Sequence, residues 1–263
     1  MAIVVAAVYD RRNLGTVSAV IDRRYRRVMT PPNSYSRHWF RHFHADIPLE
    51  RTVKEIERIC SVAPLPEFRR VLDVCCGMGR HARALVQRGY SVTGIERDAG
   101  AIAKARELGD GPEYVQADVR EFQPATSAYD VAIVMSQSFG YFDNETNREL
   151  LGRLADGVRG GGRLLLDLWN PDFFIAHQGE RTADTPSGIV CEEKRIDDGR
   201  LLVHLTYPDG AYEDFDWQLF APAEMKSLGE SAGLTLVTAC TNFDATEKPN
   251  AANPRIQFVL QKS

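Results

Sequence analysis

A chain of 263 residues, 44% apolar and 26% charged, holds enough material for one generous domain or one domain carrying an insertion, with the composition of an ordinary globular protein. No apolar run approaches the ~20 residues that span a bilayer, which argues against a membrane protein, and the short apolar stretch ahead of Asp10 lacks the basic start of a secretory signal. The net charge of −4 is uneven: residues 1–28 hold six arginines against Asp10 and Asp22, a net of +4, leaving −8 on an acidic remainder that suits nucleic-acid phosphates poorly.

Residues 1–28 therefore read as a basic N-terminal tail, expected to be disordered, or as an extension upstream of a start at Met29; a nucleic-acid arm is the competing reading. The five cysteines include no C-x-x-C pair, so neither a disulfide framework nor a zinc site of familiar spacing is expected, and a reducing cytoplasm fits best. From residue 35, Tyr35-Ser36-Arg37-His38-Trp39-Phe40-Arg41-His42-Phe43-His44 mixes aromatics with three histidines, His38 and His42 at helical spacing. No carboxylate joins them at motif spacing, so a helix covering a bound ligand is expected rather than a metal site.

Leu49, Val53, Ile56 and Cys60 recur at helical spacing until Pro64 and Pro66, and Arg70 to Val74 then reads as a short buried strand. A helix closed by Gly89, a strand Ser91 to Ile95, a helix Asp98 to Leu108 and a strand Glu113 to Ala117 follow. Tyr129 to Met135 contains Val-Ala-Ile-Val, expected to be buried on both faces. Asn144 to Val158 reads as a helix, and Gly160-Gly161-Gly162 as the turn before a strand Arg163 to Leu168. Strands alternating with helices predict an α/β fold with a doubly wound, mostly parallel sheet.

After Asn170 the pattern changes. Ile189 to Ile196, Leu201 to Tyr207 and Tyr212 to Leu219 are separated by Asp198-Gly199 and Asp209-Gly210, the turn dipeptides of antiparallel strands. We expect a lid here: residues 29–263 form one domain with 171–220 as an inserted antiparallel β sheet. A helix beginning at Pro222 and ending at Gly233, then strands Leu234 to Thr241 and Arg255 to Leu260, complete the chain.

The most informative stretch is Val71-Leu72-Asp73-Val74-Cys75-Cys76-Gly77-Met78-Gly79-Arg80-His81-Ala82, a strand, a small-residue loop and a helix start. It resembles the nucleotide-binding motif of class I S-adenosylmethionine-dependent methyltransferases of the small-molecule type. Asp73 stands at that family's strand-ending acid, where a dinucleotide fold would repel its pyrophosphate. Cys75 replaces the family's first loop glycine. The resemblance, spanning about residues 65 to 170, implies a seven-stranded sheet with a final antiparallel strand and S-adenosyl-L-methionine as cofactor.

By the same resemblance Asp73, Cys75, Gly77 and Gly79 hold the cofactor, Glu96 accepts from both ribose hydroxyls, Asp118 receives the adenine amino group, and Val119 offers backbone contact. Met135-Ser136-Gln137-Ser138-Phe139-Gly140-Tyr141-Phe142 is similar to the loop beside the reactive methyl, which places Ser136 at the cofactor and Phe139, Tyr141 and Trp169 at the acceptor. It lacks the Asn/Asp-Pro-Pro-aromatic sequence of nucleic-acid amino methyltransferases. Tyr35 or Trp39 would face the sulfonium, and no metal is implied.

The expected reaction is methyl transfer to a small-molecule acceptor, with Tyr141, Asp143 and His177 as candidate bases if a base is used at all. A catalytically idle, methyltransferase-like partner subunit and an NAD-dependent oxidoreductase are the competing functions. The aromatic residues Trp169, Phe173, Phe174, Tyr207, Tyr212, Phe215 and Trp217 supply enough surface to wall an acceptor pocket.

Overall fold

The computed structural model describes residues 36–44, 47–109 and 111–263; the basic segment 1–28 and Tyr35 lie outside them. The first described helix is α1 (Arg37–Trp39), which continues as a π-helical turn over Phe40–His44, and α2 (Leu49–Val62) follows. The face that α2 buries carries Glu55, Ile56, Ile59 and Val62, whereas Leu49 and Val53 are exposed. The apolar spacing therefore placed the helix correctly but rotated its buried stripe. A carboxylate on the inner face is a polar residue that periodicity assigns to solvent.

Next come β1 (Arg70–Val74), α3 (Arg80–Val86), β2 (Ser91–Glu96), α4 (Ala99–Glu107), β3 (Glu113–Gln116), β4 (Tyr129–Val134), α5 (Asn144–Gly157) and β5 (Val158–Trp169). Two aspartates start helices by accepting from exposed backbone N–H groups: Asp98 from Ala101 N at 2.6 Å, and Asp143 from Thr146 N at 2.8 Å. The chain closes this sheet with α7 (Pro222–Ser231), β10 (Leu234–Cys240) and β11 (Arg255–Lys262), after an intervening α6 (Pro171–Ala176).

The seven strands lie in the order β10-β11-β5-β4-β1-β2-β3, with β11 antiparallel to both its neighbours and the other pairs parallel. Alternation along the strands builds two cores. Leu72, Val74, Ala132 and Val134 face α5 and the Phe139–Phe220 pair, while Val71, Val131 and Ile133 face the Ile56–Ile59 side. Both layers are dry, with Val131 to Val134 wholly buried, as a doubly wound sheet requires. The winding reverses between β1 and β4, and ligands of open α/β sheets bind outside the carboxyl ends at such a point.

Gly160, Gly161 and Gly162 are not a turn ahead of β5 but part of it. A Cβ on Gly162 would meet the Asp130 carbonyl at 2.7 Å, so close approach of the backbones, rather than a reversal, is what these residues allow.

A second sheet of four antiparallel strands interrupts the first: β6 (Gly179–Thr185), β7 (Gly188–Asp197), β8 (Arg200–Thr206) and β9 (Tyr212–Gln218). Asp198 and Gly199 both have positive φ, 47° and 72°, as a tight two-residue hairpin turn demands. Neither β6 nor α6 is visible in the sequence pattern, since β6 carries polar residues on both faces. The inner face of this sheet has its own core of Val190, Leu201, Val203, Phe215 and Trp217, against which Trp39 and Phe43 pack.

Candidate cofactor and acceptor site

The carboxyl ends of β1, β2 and β4 surround a cavity of about 320 Å³, within the usual range for a small-molecule site. Asp73, Cys75, Gly77, Glu96, Asp118 and Val119 line it. Cys75 has φ of 56°, so the loop needs a left-handed residue where the family has glycine, and a side chain there costs roughly 1–2 kcal/mol. Burial, then Glu96 and Asp73, push its thiol far up, so it is a filler rather than a nucleophile. Cys76 is accommodated by Gly94 on β2, where a Cβ would meet Cys76 Sγ at 2.8 Å.

Gly79 starts α3 with φ of 73° and does not line the cavity; a Cβ there would strike the Tyr114 hydroxyl at 2.0 Å. Its contribution is to let β3 and the loop approach each other.

The three acids are held differently. Glu96 accepts from Gly77 N at 3.1 Å and from Arg97 N and Asp98 N at 2.8 and 3.0 Å, which fixes its carboxylate against the glycine loop. Asp118 accepts from the backbone and guanidinium of Arg120, with Nη2 to Oδ2 at 2.6 Å, and this pairing holds it down at about 2. Asp73 is 1% exposed; burial pushes it up to about 6 against the pull of His81 and Arg80, and its Oδ2 meets no donor among the described residues.

Beside Asp73, Glu55 of α2 is completely buried. It accepts from Arg51 Nε at 2.9 Å, Arg80 Nη1 at 2.5 Å and His81 Nε2 at 2.8 Å. Burial disfavours its charge, but these partners outweigh burial and carry it well below the carboxylate range. Arg80 and His81 thereby hold fixed positions on the cavity wall.

On the far side, the loop after β4 is forced into shape. Ser136 and Gln137 both have positive φ, 56° and 63°, and Asp167 of β5 receives their backbone: Ser136 N donates to its Oδ2 at 3.1 Å and Gln137 N to its carbonyl at 2.9 Å. Arg255 Nε and Gln257 Nε2 of β11 also donate to Asp167, at 2.8 and 2.9 Å.

Behind Ser136 a second cavity of about 230 Å³ opens beneath the four-stranded sheet. Trp39, Ile47 and Ser136 line both cavities, so the two adjoin at these residues. Trp169, Phe174, Phe215 and Trp217 wall the second one. Of the other aromatics expected there, Tyr207 instead packs against His38 and His42, Tyr212 is 54% exposed, and Phe173 stacks on His177.

Tyr141 lines the first cavity. Phe139, expected at the acceptor, is not brought to either cavity: it is wholly buried, its ring 5.4 Å from that of Phe220, because the strained loop turns it into the core. Asp143 is spent as the cap of α5, and His177 sits exposed on its own helix, bonded to the Phe173 carbonyl at 2.7 Å. Neither reaches a cavity. His38 bonds Asp209 and His42 bonds Thr185, so these histidines dock α1 onto the second sheet, and among the described residues no cluster suited to a metal forms.

The architecture and the glycine-rich cavity have counterparts. Residues 71–162 match the family described as a methyltransferase domain. The Bacillus subtilis (strain 168) protein YqeM, which carries a methyltransferase name, is 25% identical over 82% of this chain and 91% of its own. A structure of an amino pentose methyltransferase from Micromonospora echinaspora, with S-adenosylmethionine bound, superposes with a TM-score of 0.63 at 18% identity over 97% of this chain and all of that one. The matched domain and these likenesses together support a class I S-adenosylmethionine-dependent methyltransferase.

A further relative is the dTDP-4-amino-2,3,4,6-tetradeoxy-D-glucose N,N-dimethyltransferase of Saccharopolyspora spinosa, 28% identical over 74% of this chain and 79% of that protein. None of these likenesses is to a dinucleotide oxidoreductase. Around the two cavities, sequence reasoning missed Glu55, Asp167 and Arg255. Only an acid inside an apolar strand, Leu-Leu-Leu-Asp-Leu, could have drawn attention to one of them.

Proposed function

We propose that the protein transfers the cofactor's methyl group to a small organic molecule held in the second cavity, with residues 171–220 as the lid over it. The observation that carries this reading is that the two cavities adjoin and share Trp39, Ile47 and Ser136 as lining. The first cavity fits S-adenosyl-L-methionine chemically: Asp73 Oδ2 is a buried acceptor lacking a donor, suited to an ammonium, and Glu96 and Asp118 are acceptors for hydroxyl and amino groups.

When bound, this cofactor supplies a methyl already activated by its sulfonium. The chain's own task is then to align and to exclude water, a contribution worth about 7–11 kcal/mol in well-oriented systems. Asp167 fixes the Ser136–Gln137 turn between the cavities, and Trp39 and Tyr141 offer aromatic faces to a cation. Tyr35 remains a proposed contact, and Tyr141 a proposed acceptor contact. None of the five cysteines is paired, which supports a reducing compartment such as the cytoplasm. Among the described residues no helix is long and apolar enough to cross a membrane.

Isothermal titration with S-adenosylhomocysteine and with NAD tests the reading. Binding of the first and not the second is expected; the reverse would overturn it.

A further inference from the structure

The charged groups that line the second cavity are mostly basic. Its walls are aromatic and aliphatic, yet the side chains of Arg51, Lys194 and Arg255 line it together with a single carboxylate, Glu192. The counter-charges of the two arginines lie behind the wall: Asp167 answers Arg255, and Glu55 is divided among Arg51, Arg80 and His81. Glu192 is itself shared, bonded to Lys194 Nζ and 3.9 Å from Arg181. Five basic side chains, Arg51, Arg80, Arg181, Lys194 and Arg255, thus meet three carboxylates around this side of the site.

Donors are in excess as well as charge. The indole rings of Trp169 and Trp217 line the cavity, and the buried Nε1 of each finds no acceptor among the described residues. An indole N–H donates and never accepts, so it is satisfied only by an oxygen or nitrogen lone pair. The other polar groups nearby are engaged: Gln137 Oε1 accepts from Trp169 N and Gln137 Nε2 donates to the Phe139 carbonyl at 3.1 Å.

Lys194 is the cation best placed to act. It projects from β7 with its side chain 15% exposed, its Nζ 5.9 Å from the Phe174 ring centroid. Burial lowers its pKa despite Glu192, so its ammonium lacks the solvation that a surface lysine enjoys. An anion in the cavity would restore what burial removes. A cationic amine would add to the excess instead.

We propose that the methyl acceptor carries an anionic oxygen group, a carboxylate or a phosphate, on an apolar body, and that this group is held by Lys194 in the second cavity. The proposal rests on the methyltransferase reading given above. It names the chemistry of the acceptor, and Lys194 as a residue that selects for it through charge. Glu192 tempers that selection by competing for the same ammonium.

The test uses the full chain saturated with S-adenosylhomocysteine, whose binding is measured first and independently reports on the methyltransferase reading. Phenylacetate, phenyl phosphate, phenylacetamide and phenethylamine are then titrated, with the fluorescence of the cavity tryptophans Trp39, Trp169 and Trp217 as the readout. At least one of the two anions should bind tenfold or more tightly than the amide and the amine, and the better anion tells carboxylate from phosphate. Lys194→Met should erase the preference for the anion over the amide, and Glu192→Gln should strengthen anion binding several-fold, with S-adenosylhomocysteine affinity unchanged in both. Equal binding of acid and amide, tighter binding of the amine, or no binding of any probe to protein that holds S-adenosylhomocysteine would overturn the proposal. So would an anion preference that survives in Lys194→Met.

Discussion

Around the first cavity the chain offers carboxylates and bare backbone at the ends of β1 and β2 and just past β3, whereas around the second it offers indole, phenyl and cationic side chains, many from another sheet. The first wall is built from short loops whose shape follows from local sequence. The second depends on which faces of β7, β8 and β9 turn inward and on what docks against them. On the proposed reading, cofactor recognition and acceptor recognition are thus separable parts of one site, which meet at Trp39, Ile47 and Ser136.

The strongest way to break this division is to excise the second sheet. Replacing residues 179–218 with a short loop should abolish transfer to the native acceptor while S-adenosylhomocysteine binding stays within about tenfold, or ~1.4 kcal/mol. A folded, shortened protein that still methylates at the original rate would place the acceptor elsewhere. Phe220 is retained in this design because its ring packs on Phe139 in the main core.

A smaller effect is expected from the opposite wall. Glu96→Ala and Asp118→Ala should each weaken S-adenosylhomocysteine binding by about 1–3 kcal/mol, the cost of a buried polar group left unpaired, without unfolding the protein. Calorimetry on both variants checks this, and unchanged affinity in both would remove the acids from the cofactor wall.

The mildest test is titration of the first cavity alone. Asp73 is raised to about 6 by burial, so free protein below that pH carries it protonated. Its folded pKa lies above the ordinary 3.8, so the stability tied to this group is full below 3.8 and is lost as pH rises through about 6. A cofactor ammonium beside it favours the ionised form. Affinity for S-adenosylhomocysteine should therefore fall by about tenfold per pH unit below 6, and Asp73→Asn should flatten that profile. A profile equally steep in the variant would assign the dependence to another group.

The parts that could be read from sequence follow the same division. Asp73, Glu96 and Asp118 stand at strand ends that local patterning locates, and Val131 to Val134 announce a strand buried on both faces. Glu55 escaped because periodicity treats a glutamate as solvent-facing, and only Arg80 and His81, on a different helix, explain its burial. Phe139 was misplaced because the positive φ of Ser136 and Gln137, imposed by Asp167 from β5, redirects the chain after β4. The strand β6 has no apolar alternation, and its place is fixed by pairing with β7. Each of these depends on a partner far along the chain.

The Asp167 junction has a consequence for the order in which the protein becomes competent. It gathers Ser136, Arg255 and Gln257, residues separated from it by 31, 88 and 90 positions, and its β5 strand is flanked by β4 and β11. Contacts of such long range form late, since the entropy of closing the loop between them must be met first. The glycine loop after β1 and the acid of β2 can assemble early, from residues close in sequence. The Ser136–Gln137 turn takes its bonds from Asp167, and Arg255 and Gln257 of β11 in turn hold that carboxylate. Closure of the sheet by β11 thus completes the set of partners around Asp167, the residue that shapes the turn between the two cavities.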